Sequence, residues 1–263
     1  MEELIIHSVA EYVEIVCNSN NEMKKDTLLF RGQPDMNKPL IPSLGRKTSG
    51  GKALISEERS MIEMAKYKLP TVFRRELEPI ELLALLQHHG IPTRLLDVSA
   101  NALVGLYFAC HGKPDSEDKD GEVIVFKSSE IDVNKYKIVN QICSTYEKAD
   151  YFEQSELKDL YLSNEEPIFV YAPSYSLRQN IQSGRYILFA NKVIEKDGEY
   201  KMIEEIAPIS KDSDAILYRI IVPTEIKESI RKDLRLLGIS KELLFLDNAD
   251  MVCNEIRDRF SER

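Results

Sequence analysis

Apolar positions fall in two rhythms along the chain. Helical spacing comes first, at residues 7 to 17, where Val9, Tyr12, Val13, Ile15 and Val16 gather near one face. That predicts a short amphipathic helix within residues 1–20. TLLFRGQ (27–33) is an apolar run ending in polar residues and reads as a buried strand. The Pro-, Gly- and Lys-rich stretch from 34 to 52 predicts a loop. A helix from Ser56 to about Tyr67 follows, opened by Ser56 with Glu57 and Glu58 in its first turn. Another spans Glu78 to His88, with Leu82, Leu85 and Leu86 marking an apolar face. A third starts at Ser99 or Asn101, either a suitable N-cap. It places Leu103, Leu106, Tyr107 and Cys110 at i, i+3, i+4 and i+7, so one face is core.

Beyond an acidic loop (112–121), EVIVF (122–126) predicts a central strand from its β-branched content. Residues 127–165 are polar and mixed, and read as loop and short helix. PIFVYAP (167–173), GRYILFAN (184–191) and AILYRIIVP (215–223) predict three more strands. Thr224 caps a final helix with Ile226, Ile230, Leu234 and Leu237 on one side, and Gly238 stops it. Helices gather early and strands late, without βαβ alternation. That pattern predicts an α+β fold with a mainly antiparallel sheet. No repeat or boundary divides the chain, so a single domain over 1–263 is expected.

Composition adds limits. The 263 residues are 43% hydrophobic and 30% charged, which suits a globular protein and not a disordered one. The net charge of −9 argues against a general nucleic-acid coat or an anionic membrane surface as partner, and leaves room for a local basic pocket. Cys17, Cys110, Cys143 and Cys253 are scattered, as suits reduced thiols in a cytoplasm. The N-terminus is acidic where a signal peptide would carry lysines. No apolar run approaches the roughly 20 residues of a membrane span. A soluble, cytoplasmic protein without a membrane partner is the expectation.

Several motifs carry candidate chemistry. GRKTSGGK (45–52) imitates a phosphate loop, but Gly51 stands where the lysine belongs and no strand leads into it. It reads as a surface loop from whose rim Arg46, Lys47 and Lys52 could touch an anion. His88 and His89 would point about 100° apart on a helix and cannot share one metal, so no metal site is expected. One of them caps the helix end beside Gly90, or an imidazole serves a ligand. In TRLLDVS (93–99), Arg94 and Asp97 lie among Leu95, Leu96 and Val98, where charges are costly unless paired. They form an internal bridge, or one orients the other toward a ligand. Arg31 can aim a planar fork of donors at a phosphate or carboxylate, and Gly32 admits a close approach to the backbone. Arg178, Gln182 and Gly184 lead into an apolar run in the same manner.

These stretches resemble the FRG family, named for Phe-Arg-Gly. Phe30, Arg31 and Gly32 stand as FRGQ, with Gln33 following. Gln87 to Ser99 read QHHGIPTRLLDVS, matching the family's Q-H-[HY]-G-x-P-T-R-L-L-D-W-[ST] with Val98 in place of Trp. QSGRYILF is similar to its Q-x-G-x-F element, with Tyr186 for Phe. NALVGLYFAC, YRIIVP and LLGISKELLF extend the likeness to roughly 27–250. Many members are bacterial or phage-associated, which implies a setting in phage defence or toxin action.

The motif order is also similar to ADP-ribosyltransferases, which implies a split, mainly antiparallel sheet with flanking helices. On that likeness Arg31 ends the first core strand, Thr93 to Ser99 precede a helix, and Gln182 takes the later acidic position. No E-x-E stands there, and Glu204 and Glu205 have the wrong spacing. Asp97 is then the acid that would stabilise an oxocarbenium-like state. The implied catalytic set is Arg31, Asp97 and Gln182. Gly32, Gln33, His88, His89, Thr93 and Arg94 would line the ligand pocket, with Ser99, Tyr107 and Arg178. The implied substrate is NAD, with ADP-ribose transferred to a protein or nucleic acid, or to water. The rival reading is a non-catalytic module that senses a nucleotide or a nucleic-acid end.

Overall fold

A computed structural model describes residues 2–22, 27–47, 51, 53–74, 76–112, 118–128, 136–147, 152–162, 166–172 and 177–245. The expectations for Lys52, Cys253 and residues 246–250 lie outside these. The first half of the chain gives β1 (Glu2–Ile5), α1 (Val9–Glu22), β2 (Thr27–Gln33), α2 (Glu58–Lys68), α3 (Pro79–His88), β3 (Leu95–Ser99), α4 (Ala102–Cys110) and β4 (Gly121–Ser128). Next come α5 (Tyr136–Cys143), α6 (Gln154–Leu162), β5 (Ile168–Val170), α7 (Leu177–Ile181) and β6 (Gly184–Leu188). The described chain ends with β7 (Val193–Lys196), β8 (Glu199–Met202), β9 (Ile216–Val222), α8 (Lys227–Leu236) and α9 (Lys241–Leu244).

Seven strands share one sheet in the order β1-β9-β4-β2-β3-β6-β5, while β7 and β8 form a separate hairpin. Only β1 and β9 run parallel; the other neighbours in the large sheet are antiparallel. The fold is therefore α+β with a mainly antiparallel sheet. Helices and strands interleave, however, and do not separate into an early and a late set. β4 is central, as its β-branched run predicts.

The sheet buries both faces. Leu28, Phe30, Val123 and Val125 pack under α1, α4 and α8. Leu29, Ile124, Leu96 and Val98 face the other way, onto Leu40, Ile41, Leu44 and Ile55. Residues 34–47 of the predicted loop thus fold back over the sheet, with Leu40 and Leu44 fully buried. A third cluster surrounds α3 and takes in Leu95, Tyr186 and Leu188. The α4 helix is covered on nearly all sides, not on one stripe.

Local chemistry sets the ends of the elements near the seam. Pro79 occupies the first turn of α3, and the Glu78 N–H donates to Glu81 Oε2 at 3.0 Å, which caps the helix start. Gly90 ends it at φ +81°, a left-handed conformation that residues with a side chain resist. Asn101, one of the two expected N-caps, accepts from Leu103 N. Thr224 is not a cap: it opens a short 3-10 turn, and the residue before α8 is Ile226.

One seam in the sheet matters most. β2 pairs with β4 along all seven of its residues, and β3 pairs with β6 along five. Between β2 and β3 the register holds only Phe30 opposite Ser99. Past that pair the two strands part, and a crevice opens between the halves of the sheet.

Candidate functional site

Glycines seat α4 against β2 beside this crevice. A Cβ on Gly32 would stand 2.0 Å from Gly105 O and 2.6 Å from Ala109 N. The close approach that Gly32 permits is therefore that of a helix backbone. Its neighbour Arg31 turns into the opening, where Nη1 donates to the main-chain oxygen of Asp97 at 2.8 Å. That carbonyl lies on the side of β3 that β2 has left, so the guanidinium takes up a group the ladder no longer serves. Arg31 Nε is buried and has no hydrogen-bond partner among the described residues. Burial lowers the Arg31 pKa, against the pull of Asp97 and with the push of nearby Arg46. A guanidinium desolvated in this way favours an anion.

The crevice holds a cavity of about 280 Å³ whose lining includes Arg31, Asp97 and Gln182. Gly32, His88, Ser99 and Arg178 also line it. Arg31, Pro34, Phe108 and His111 also border a larger hollow of about 1520 Å³. These four residues border both spaces.

Asp97 is exposed while both its neighbours in β3 are buried. Its Oδ1 accepts from Gln87 Nε2 at 2.8 Å. The Gln87 Oε1 in turn accepts from the Thr93 hydroxyl, which fixes which end of the amide faces the carboxylate. Thr93 Oγ1 also accepts from Leu95 N at 3.2 Å. Thr93 is buried and lines neither hollow; it reaches Asp97 only through Gln87. Across the ladder Asp97 sits opposite Tyr186. Burial, then the Asp97 charge, raises the pKa of that phenol, whose oxygen accepts from Gln179 Nε2 at 2.8 Å.

Arg94 and Asp97 do not form the internal bridge weighed from the sequence. Three residues apart on extended chain, their side chains leave opposite faces of the sheet. Arg94 is fully buried and lines neither hollow. Its Nε donates to Glu58 Oε1 at 2.8 Å and its Nη2 to Glu58 Oε2. Nη1 completes the set on Phe189 O at 3.2 Å and Asn191 Oδ1 at 3.1 Å. The guanidinium is consumed by the core.

The remaining residues divide. Gln182 lies in the turn ahead of β6, not on a strand, and its amide donates to Leu244 O at 3.0 Å. The Ser99 hydroxyl donates to Gln182 O at 2.6 Å and accepts from Asn101 N at 2.9 Å. Arg178 sits 4.4 Å over the Phe245 ring, tying α7 to the end of α9. His89 is the exposed C-cap residue of α3, edge-on to His88 at 5.1 Å, and lies outside both hollows. Gln33 is buried and donates to Glu122 Oε1 at 3.1 Å, within a network that includes Arg219 and Lys211. It borders only the larger hollow, as does Tyr107, which stacks on His111 at 3.9 Å. Gln87, Phe108, His111, Gln179 and Tyr186 join the smaller cavity without having been singled out as ligand residues. Gln87 and Tyr186 stand inside the quoted motifs, and His111 follows Tyr107 by one helical turn. Among the described residues no group of three or more His, Cys, Asp or Glu side chains could hold a metal ion. No described helix is long and apolar enough to cross a membrane.

The geometry defines an α+β protein with a polar cleft at a parted strand pair, built on an Arg-Gly strand end and a Thr-Gln-Asp chain. Residues 26–119 match the family model of the FRG domain. The match spans β2 through α4 and therefore Arg31, Gln87, Thr93 and Asp97; Arg178 and Gln182 lie beyond it. Neither curated proteins nor solved structures gave a match to the chain.

Proposed function

We propose that the cleft between β2 and β3 binds a nucleotide, and that the protein acts on NAD by transferring or hydrolysing ADP-ribose. The observation that carries this reading is Arg31. Arg31 lines the cavity together with Asp97 and Gln182, and its buried Nε has no hydrogen-bond partner among the described residues. Arg31 would hold the pyrophosphate, and Asp97, kept in place by Gln87, would face the ribose. As the bond from the ribose anomeric carbon to nicotinamide breaks, its electron pair leaves with nicotinamide. The carboxylate offsets the positive charge left on the sugar. An oxygen of water or of an acceptor then bonds to that carbon and loses its proton to solvent. Gln182, held by Leu244 O, supports the wall of the site and takes no proton. Consumption of NAD would suit the toxin or phage-defence setting that the family resemblance implies.

The test is nicotinamide release from NAD, followed by chromatography. The native chain should release it, and Asp97→Asn should slow release roughly 100-fold. Saturable NAD binding without release would assign the cleft to a nucleotide sensor. Absence of both would refute the reading.

A further inference from the structure

The larger hollow is not needed for the chemistry assigned to Asp97, yet it has a marked character of its own. Arg31, Lys38, Arg46, Lys47 and Lys241 border it, against Glu204 and Glu205. The whole chain has the opposite balance, 35 basic residues against 44 acidic ones. A cationic excess in a chain of net charge −9 is a local feature, set by which loops meet here. Glu205 is further offset by Lys192 at 3.7 Å. Lys38, Lys47 and Lys241 form no ion pair among the described residues. Arg46 donates from Nε and Nη2 to a single acceptor, Ile41 O, at 3.3 and 3.2 Å.

The same hollow is bordered by rings. Tyr107 and His111 stack at 3.9 Å, and Phe108 meets Phe245 edge-on at 6.3 Å. Cations that follow a backbone, interleaved with rings on which bases stack, are the general means of holding single-stranded nucleic acid. An acidic peptide would use the cations and leave the rings without a role. The volume of about 1520 Å³ exceeds that of the Asp97 cavity several-fold. It has room for more than one nucleotide unit.

We infer that the larger hollow binds a single-stranded nucleic-acid segment, its phosphates on Arg46, Lys47, Lys38 and Lys241 and a base against the ring wall. The segment approaches the Asp97 cavity past Arg31 and His111, where a transferred group would reach it. Binding itself needs no NAD, so this inference stands or falls apart from the proposed reaction.

Fluorescence anisotropy with labelled 12-nucleotide DNA and RNA strands, in the absence of NAD, tests it. The full chain should bind, and about four phosphate contacts should weaken binding roughly 50-fold between about 50 and 200 mM salt. Arg46→Glu with Lys241→Glu, both on exposed side chains, should lower affinity at least about tenfold. Lys68→Glu with Lys158→Glu, exposed elsewhere, should leave it unchanged. No binding, a flat salt response, or equal losses in both double variants would overturn the inference. So would full competition by AMP, which would make this a mononucleotide site, or equal binding of an oligo-aspartate peptide. Should the first double variant misfold, the salt slope of the native chain and the two competitors still decide.

Discussion

Replacing Glu58 with Leu removes, among the described residues, the only carboxylate on a guanidinium that has no solvent to turn to. Arg94 is 0% exposed and Glu58 3%, so the variant leaves Nε and Nη2 without acceptors while Nη1 keeps Phe189 O and Asn191. Breaking a buried pair by deleting one member costs about 3–5 kcal/mol. For a chain of this size that corresponds to a fall in melting temperature of roughly 6–20 °C. The double variant Glu58→Leu with Arg94→Met removes both charges and should regain most of the loss. Asp97→Asn, at an exposed position, should cost less than about 1 kcal/mol. Urea unfolding followed by circular dichroism, with the denaturant slope compared across variants, gives all three numbers. The reasoning is refuted if Asp97→Asn destabilises as much as Glu58→Leu, or if the double variant is no better than the single one.

Three further outcomes follow from packing and burial. Gly32→Ala puts a methyl within 2.0 Å of Gly105 O and 2.9 Å of Phe108 Cβ, so α4 must shift; a loss of about 3 kcal/mol or more in urea unfolding is expected, and a near-neutral variant would show that α4 is not seated as described. Burial pushes the Cys110 and Cys143 thiols up to about 12 from an ordinary 9.0. Above pH 9 the unfolded chain sheds these protons first, so stability should fall as pH rises toward 12 and be fully present below 9. Iodoacetamide at pH 8.5, read by peptide mass spectrometry, should label exposed Cys17 quickly and both buried thiols only at the rate of unfolding.

Much of this molecule is written locally in the sequence. TLLFRGQ forms β2 with the predicted bounds, α3 ends at His88 as expected, and EVIVF lies in the middle of the sheet. The polar residues of QHHGIPTRLLDVS were legible as special because charge among leucines is costly. Which charge pairs with which was not. Glu58 is 36 positions from Arg94, and nothing near SEERS marks that carboxylate as buried. Asp97 looked like the partner because it was close in sequence, but the strand alternation of β3 sends it to the other face. That alternation leaves little trace in the sequence, because Leu95 on one face and Leu96 and Val98 on the other are all apolar and buried. The β7–β8 hairpin did carry a signal, Asp197-Gly198, both with positive φ, between short alternating runs. β1 had none: four residues at a sheet edge give too little pattern to read.

The nitrogen-15 resonance of the Arg31 Nε–H group gives the most direct test of the cleft. It can be assigned by its loss in Arg31→Lys and followed while NAD is added. The account predicts a saturable shift of this signal and slower exchange of its proton with water, as phosphate oxygens close over the guanidinium. A resonance that stays fixed at saturating NAD, or shifts only at arginines away from the β2–β3 seam, would contradict it.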